Sequence, residues 1–298
     1  MIRLQQVGSG KKSCIVVSDD HVQKVLEGPM CNSSLHEIAL LAVNTGHNIT
    51  SWIREQPQLS LAQWESDVIQ LQYEVPLAPL RQPDAFVCSF GYTFRYLNGV
   101  LAPEKASPDW YYKGHAGELV AHNCSIVQPY FADGLTIEAE HVAIYVIDRN
   151  GRPCYVGYSI ANDVSDAKLR HEKPSLSALS KLSPTAVAPE IILGPVPKSI
   201  EVNVLVERKG ERVWSRSGYL GTEHMCFPLT DLERLLFRYN NIITPGMVFF
   251  VLMGTTISSS KDWVELEHGD EISIESPADH LCLRNRLLDE AVIYSCSV

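Results

Sequence analysis

The 298-residue chain is short of the features that mark several functional classes. No apolar run approaches the roughly 20 residues that a membrane helix needs, and the first residues, MIRLQQVGSGKKSC, lack the apolar stretch of a secretory signal. A cytoplasmic location is the expectation. The eight cysteines contain no CxxC pair, which argues against a zinc ribbon and against a small disulfide scaffold; reduced thiols are the preferred reading. Lysine and arginine number 25 against 35 acidic residues, a net charge of −10, and they form no block that would track a phosphate backbone. Nucleic acid is therefore an unexpected partner. Neither a G-x-S-x-G segment nor a correctly spaced phosphate loop occurs, since Gly8-Ser9-Gly10-Lys11-Lys12 has the wrong spacing. Repeats and low-complexity tracts are also missing.

What is present is an ordinary globular composition, 45% hydrophobic and 20% charged, in a chain longer than one average domain. Ser34 and Glu37 have capping-box spacing before Ile38, Leu41 and Ala42, so a helix starts there, and SLAQWESDVIQLQY suggests a second. Proline and turn formers then concentrate in residues 76–84, which sets a boundary between residues 1–84 and 85–298. Beyond it, residues 142–148, 154–160, 199–207, 247–253 and 271–276 are rich in β-branched and aromatic residues and read as strands. Thr230 and Glu233 suggest another capping box, opening a helix whose apolar face carries Leu232, Leu235, Leu236 and Tyr239. The expected class is α+β, mostly β.

Glu138 and Glu140 lie two apart and share one face if their segment is extended. Such a pair is either a solvated acidic surface or two ligands of a hard cation, which would relieve their repulsion. The Asn150-Gly151 turn makes residues 142–148 and 154–160 a hairpin whose paired numbers sum to roughly 300. That register brings Asp163 beside Glu138, with Ser165 as a cap for a short helix. Three converging carboxylates suit Mg²⁺ or Mn²⁺ better than zinc.

The segments TIEAEHVAIYVID, VGYSIANDVSDAKLR and LSKLSPTAVAPEIILGP resemble, in order and spacing, the metal-binding core of the fumarylacetoacetate hydrolase family. The branch acting on sugar-derived 2-keto-3-deoxy acids is the most similar, because it shows W-[FY]-[YF]-K-G, here Trp110 to Gly114. The resemblance runs from about residue 88 to about 285. It implies rolled mixed β-sheets around a metal, with a smaller N-terminal α/β domain and a homodimer or larger assembly. It also implies Glu138, Glu140 and Asp163 as metal ligands, Lys181 as the catalytic charge or base, and Thr255, Lys113 and Glu223 as substrate contacts. The metal would bind the carboxylate and 2-oxo oxygens of a small-molecule substrate and stabilise an enolate.

The chain departs from the hydrolytic pattern at FGYTFRYLNGV, where Tyr92, Phe94, Arg95 and Tyr96 replace the usual water-activating His and Glu. The arginine often found soon after the metal-binding aspartate is replaced by Ala167, with Lys168 adjacent, and His115, His122 and His141 read as surface or satisfied histidines. Dehydration of a 2-keto-3-deoxy sugar acid fits these departures. Hydrolysis of a C–C bond in a diketo acid, or a non-catalytic metal-binding role, are the alternatives.

Overall fold

The computed structural model describes residues 1–9, 12–19, 22–26, 33–55, 59–60 and 72–289. Its centre is an antiparallel trio of strands, Glu138–Ile147 between Pro153–Asp163 and Val248–Ser258. Ala85–Gly91 adds in parallel to Val248–Ser258, and Asp109–Gly114 closes that side. On the other side Glu190–Leu193 joins Ile2–Ser9, so the N-terminal strands continue the same 13-stranded sheet. A second sheet of five strands runs Ser125–Gln128, Leu281–Asp289, Glu271–Ser276, Ile200–Arg208, Glu211–Leu220. The fold is mostly β. Division into residues 1–84 and 85–298 is our proposal for its organisation; the two parts share main-chain pairing at Ile2–Gln5 with Glu190–Leu193.

Each of the ten residues of Glu138–Ile147 is buried, because both faces of the sheet are covered. Ala143, Tyr145 and Ile147 face the five-stranded sheet, with Val204, Ile274 and Leu283 in the same cluster. Val142, Ile144 and Val146 face the opposite way, into a cluster with Leu35, Ile38 and Ala42 of the Leu35–Asn44 helix. Ser34 and Glu37 form the predicted capping box at its start. The second helix read over residues 60–73 falls mainly outside the described residues.

The predicted strands all form, and the hairpin register differs from the sequence estimate by one, since Ala139 pairs with Asn162. Two caps differ from expectation. The Leu229–Phe237 helix begins two residues early, after Pro228 and without a side-chain cap. Glu233 is thereby too deep in the helix to reach back, and its carboxylate accepts from the Tyr145 hydroxyl at 2.7 Å, pinning the helix to the sheet. The short Ala167–Glu172 helix is capped by Asp166, not Ser165: Asp166 accepts from Leu169 N, while the Ser165 hydroxyl turns back to the Asp163 carbonyl.

Candidate metal and substrate site

One face of the large sheet changes character along its length. Val87, Val142 and Ala161 lie in the apolar cluster beneath the Leu35–Asn44 helix. One pleat or two farther along the same strands come Ser89, then Glu140 and Glu138, then Asp163. Alternation therefore delivers all three carboxylates to one place. Ligand oxygens of Glu138, Glu140 and Asp163 lie within 4.8 Å of one another, and all three residues are buried.

Three cations meet them. Lys181 Nζ bridges Glu138 and Asp163, 2.6 Å from an oxygen of each. Lys113 Nζ sits 2.7 Å from the other Asp163 oxygen and also donates to the Val164 and Lys181 carbonyls at 2.9 and 3.1 Å. Arg170 reaches the second Glu138 oxygen at 3.4 Å. The Ser89 hydroxyl completes the shell of Asp163. Burial alone would raise the Asp163 pKa, but Lys113 and Lys181 overcome it and hold the carboxyl well below its usual range. Glu138 is likewise held low, against burial, by Lys181 and Arg170. Burial also opposes the Lys181 ammonium, and Asp163 and Glu138 reverse the effect, raising its pKa. Lys113 goes the other way: burial and the like charge of Lys181 outweigh its share of Asp163, and its pKa falls.

Glu140 differs from its neighbours. It makes no ion pair among the described residues, and its one hydrogen bond comes from Gly254 N at 2.7 Å. Burial, then the charge of Asp163, push its pKa well above the ordinary glutamate value. Gly254 is built for that contact. Its φ is +92°, and a Cβ would lie 1.9 Å from Thr93 Oγ1, so only glycine brings its N–H to this carboxylate.

A divalent cation fits these residues. The donors are all carboxylate oxygens, as Mg²⁺ and Mn²⁺ prefer, and Glu140 is the member a cation would bring into its ionised form. The cluster also opens to solvent on one side. Glu138, Glu140 and Lys181 line a cavity of about 730 Å³ whose walls include Tyr111, Arg170 and Thr255. Its volume suits a small molecule.

The sequence-derived residues distribute unequally over this geometry. Glu138, Glu140, Asp163 and Lys181 come together, and Thr255 lines the cavity. The Thr255 hydroxyl is engaged with main chain, 2.6 Å from Ala139 O and 2.9 Å from Ile257 N, so it shapes the wall and has little left to offer a ligand. Lys113, read as a substrate contact or a solvated loop lysine, is fully buried behind Asp163 and outside the cavity lining. A β-bulge explains this: Val87 pairs with Gly114 and Cys88 with Tyr112, so Lys113 is the extra residue and turns inward to Asp163 while Tyr112 is exposed. Glu223 lies elsewhere, in a separate recess of 420 Å³ with Arg95 and His224, where it is exposed beside Lys198. His115, His122 and His141 all lie outside the cavity lining. His171 and Arg170, which the sequence reading passed over, line it. The arginine missing at position 167 is supplied three residues on, one helical turn away and on the same face.

No family model matches the chain. A Haloferax volcanii protein described as "Probable 2-keto-3-deoxyxylonate dehydratase" is 24% identical over 200 residues, 62% of this chain and 66% of that relative. The match thus falls just short of two thirds of the relative's length. Among solved structures, 2-keto-3-deoxy-D-arabinonate dehydratase complexed with magnesium and 2,5-dioxopentanoate superposes with a TM-score of 0.70 at 18% identity, covering 97% of this chain and 99% of that one. Fumarylacetoacetate hydrolase from Exiguobacterium antarcticum gives 0.66 at 18% identity, covering 97% and 100%. The chain has the fumarylacetoacetate hydrolase fold. Among the described residues Glu138, Glu140 and Asp163 are the group of carboxylates close enough to share a metal ion, with three cationic neighbours around them, and no described helix is long and apolar enough to cross a membrane.

Proposed function

We propose that the protein is an enzyme that dehydrates a 2-keto-3-deoxy sugar acid with the help of Mg²⁺ or Mn²⁺ held by Glu138, Glu140 and Asp163. The observation that carries this reading is the convergence of three buried carboxylates at the floor of a cavity that Lys181 and Arg170 also line. The named relatives add support at the level of fold.

When bound, the cation supplies Lewis-acid polarisation of the 2-oxo group, which acidifies the C3 protons. The chain's own residues do the rest. Lys181 and Arg170 attract the substrate's carboxylate and oppose the negative charge that builds on the oxo oxygen as the C3 proton leaves. Lys113 and Ser89 fix Asp163 from behind, so that its oxygens keep their direction. The C4 hydroxyl and the C3 proton leave as one water while a C3–C4 double bond forms, so no attacking water is needed. This agrees with the cavity wall, where Tyr92 and Phe94 stand in the stretch from which hydrolytic relatives take a His and a Glu. Purified protein incubated with Mg²⁺ and a panel of 2-keto-3-deoxy acids and 2,4-diketo acids should give products lighter by one water from the first group. Cleaved diketo acids with intact sugar acids would reverse the assignment to C–C hydrolysis, and no turnover of either would favour a non-catalytic metal-binding protein.

A homodimer is the assembly we propose, on the family resemblance. Light scattering at micromolar concentration should then give twice the 33.2 kDa chain mass, and a monomer mass would count against it.

A further inference from the structure

Strand alternation along Asp109–Gly114 builds a ladder that the proposed reaction does not by itself explain. Trp110 and Tyr112 turn to one face, where both rings pack against Phe86. Asp109 and Tyr111, paired with Gly91 and Ser89, turn to the other, and Lys113, the extra residue of a β-bulge, reaches Asp163. Lys113 is the inner rung, spent on Asp163. Tyr111 is the next rung out and lines the cavity, and Asp109 is the outermost, lining it too. The Tyr111 hydroxyl lies 3.1 Å from Asp109 Oδ2, and Lys105 Nζ lies 2.5 Å from the same oxygen and 3.8 Å from the centre of the Tyr92 ring.

We propose that Tyr111 is a specificity-determining contact for the hydroxyl on C4 of the substrate, the group lost in dehydration, and that Asp109 and Lys105 are positioning residues for Tyr111. The inference rests on the 2-oxo acid reading of the same site. A 2-oxo acid seated with its C1 and C2 oxygens toward the carboxylates carries C4 two C–C bonds beyond C2, on the order of 2.5 Å. Add the C4–O bond of roughly 1.4 Å and a hydrogen bond of roughly 2.8 Å, and the partner oxygen falls up to about 6.7 Å outward, comparable with the ~6.7 Å step between alternate residues of a strand. Along the strand Tyr111 lies between Lys113, which sits beside Asp163, and Asp109, to which the Tyr111 hydroxyl is bonded. Much of the remaining upper wall is apolar, with Phe94, Leu97, Val100 and Leu101. A phenol directed by a carboxylate in such a wall selects a hydroxyl at one position and leaves the rest of the tail loosely read. Burial and Asp109 raise the phenol pKa to about 12, so the group stays protonated and keeps both donor and acceptor capacity.

The test compares two ligands that differ only at C4, 2-oxopentanoate and 4-hydroxy-2-oxopentanoate, by rapid-mixing tryptophan fluorescence titration in Mg²⁺ before turnover accumulates. One neutral hydrogen bond should make the hydroxylated ligand bind roughly three- to tenfold more tightly. Tyr111→Phe keeps the ring and its packing; it should reduce that preference below about twofold while leaving 2-oxopentanoate affinity within a factor of two. Asp109→Asn should shrink the preference without removing it, which separates positioning from contact. A wild-type protein with no preference, or a Tyr111→Phe variant that keeps it, overturns the inference and leaves the 2-oxo acid reading standing. Failure of both ligands to bind in Mg²⁺ or Mn²⁺ overturns that reading, and the inference with it.

Discussion

Asp163→Asn removes one negative charge from a place where three cationic and polar side chains depend on it. The residue is fully buried, 2.6 Å from Lys181 and 2.7 Å from Lys113, whose side chain is also fully buried. Lys181 keeps Glu138, but Lys113 is left with two main-chain carbonyls and no counter-charge. Removing one partner from a buried pair costs about 3–5 kcal/mol, most of it the penalty of the stranded charge. For a chain of this size that corresponds to a fall of roughly 5–8 °C in Tm. Calorimetry on chelator-treated protein measures it directly. Adding Lys113→Met to the variant removes the stranded ammonium and should recover more than half of the loss, a coupling of about 2 kcal/mol. Mg²⁺ provides a second readout, since a concentration of 100 times Kd should add about 2.7 kcal/mol to the wild type and almost nothing to the variant. If Asp163→Asn melts within 2 °C of wild type, or if the double variant is less stable than the single, the buried pairing described above is not what holds this region.

Acid should begin to destabilise the protein near pH 6.5, above the ordinary range of exposed carboxylates. His141 is buried against Tyr158 with neither ring nitrogen hydrogen-bonded, and burial lowers its pKa from 6.5 to about 3. The unfolded chain therefore binds a proton below pH 6.5 that the folded chain refuses until about pH 3, so stability drops across that window by up to roughly 5 kcal/mol. Unfolding of His141→Phe at pH 7 and pH 4.5 should show a shallower decline, and an unchanged slope would remove His141 from the account. At the cavity, Arg170→Gln should raise the Kd for a 2-oxo acid about 10- to 100-fold with little effect on Tm, and equal affinity would show that the guanidinium serves Glu138 alone. Lys181→Arg should retain more 2-oxo acid binding than Lys181→Ala; recovery of turnover as well as binding would make Lys181 a charge, whereas binding without turnover would support proton transfer.

The strands and the carboxylates were legible because their signals are local. Continuous apolar runs mark strands covered on both faces, and the Asn150-Gly151 turn ties residue 138 to residue 163 by counting. What escaped depended on contacts between distant segments. Arg170 reaches Glu138 because the Ala167–Glu172 helix is capped by Asp166, where the sequence suggested Ser165. Lys113 was legible as a lysine among aromatics but not as a buried one, since its burial comes from Asp163 and two carbonyls that other segments supply. Ser89 carried no signal beyond its place in an apolar strand. The second capping box failed for a similar reason: Glu233 matched the local pattern, and Tyr145, almost 90 residues away in sequence, took its carboxylate instead.

The central claim is that Glu138, Glu140 and Asp163 hold the cation that receives a 2-oxo acid. A crystal soaked in Mn²⁺ and oxalate, which presents two oxygens at the separation of a 2-oxo acid's carbonyl and carboxylate, tests it most directly through anomalous scattering. The account predicts one strong peak among these three carboxylates, with oxalate on its cavity side near Lys181 and Arg170, and no such peak in Glu138→Ala crystals. Anomalous density elsewhere with none between the carboxylates, or oxalate bound equally well by metal-free protein, would contradict it.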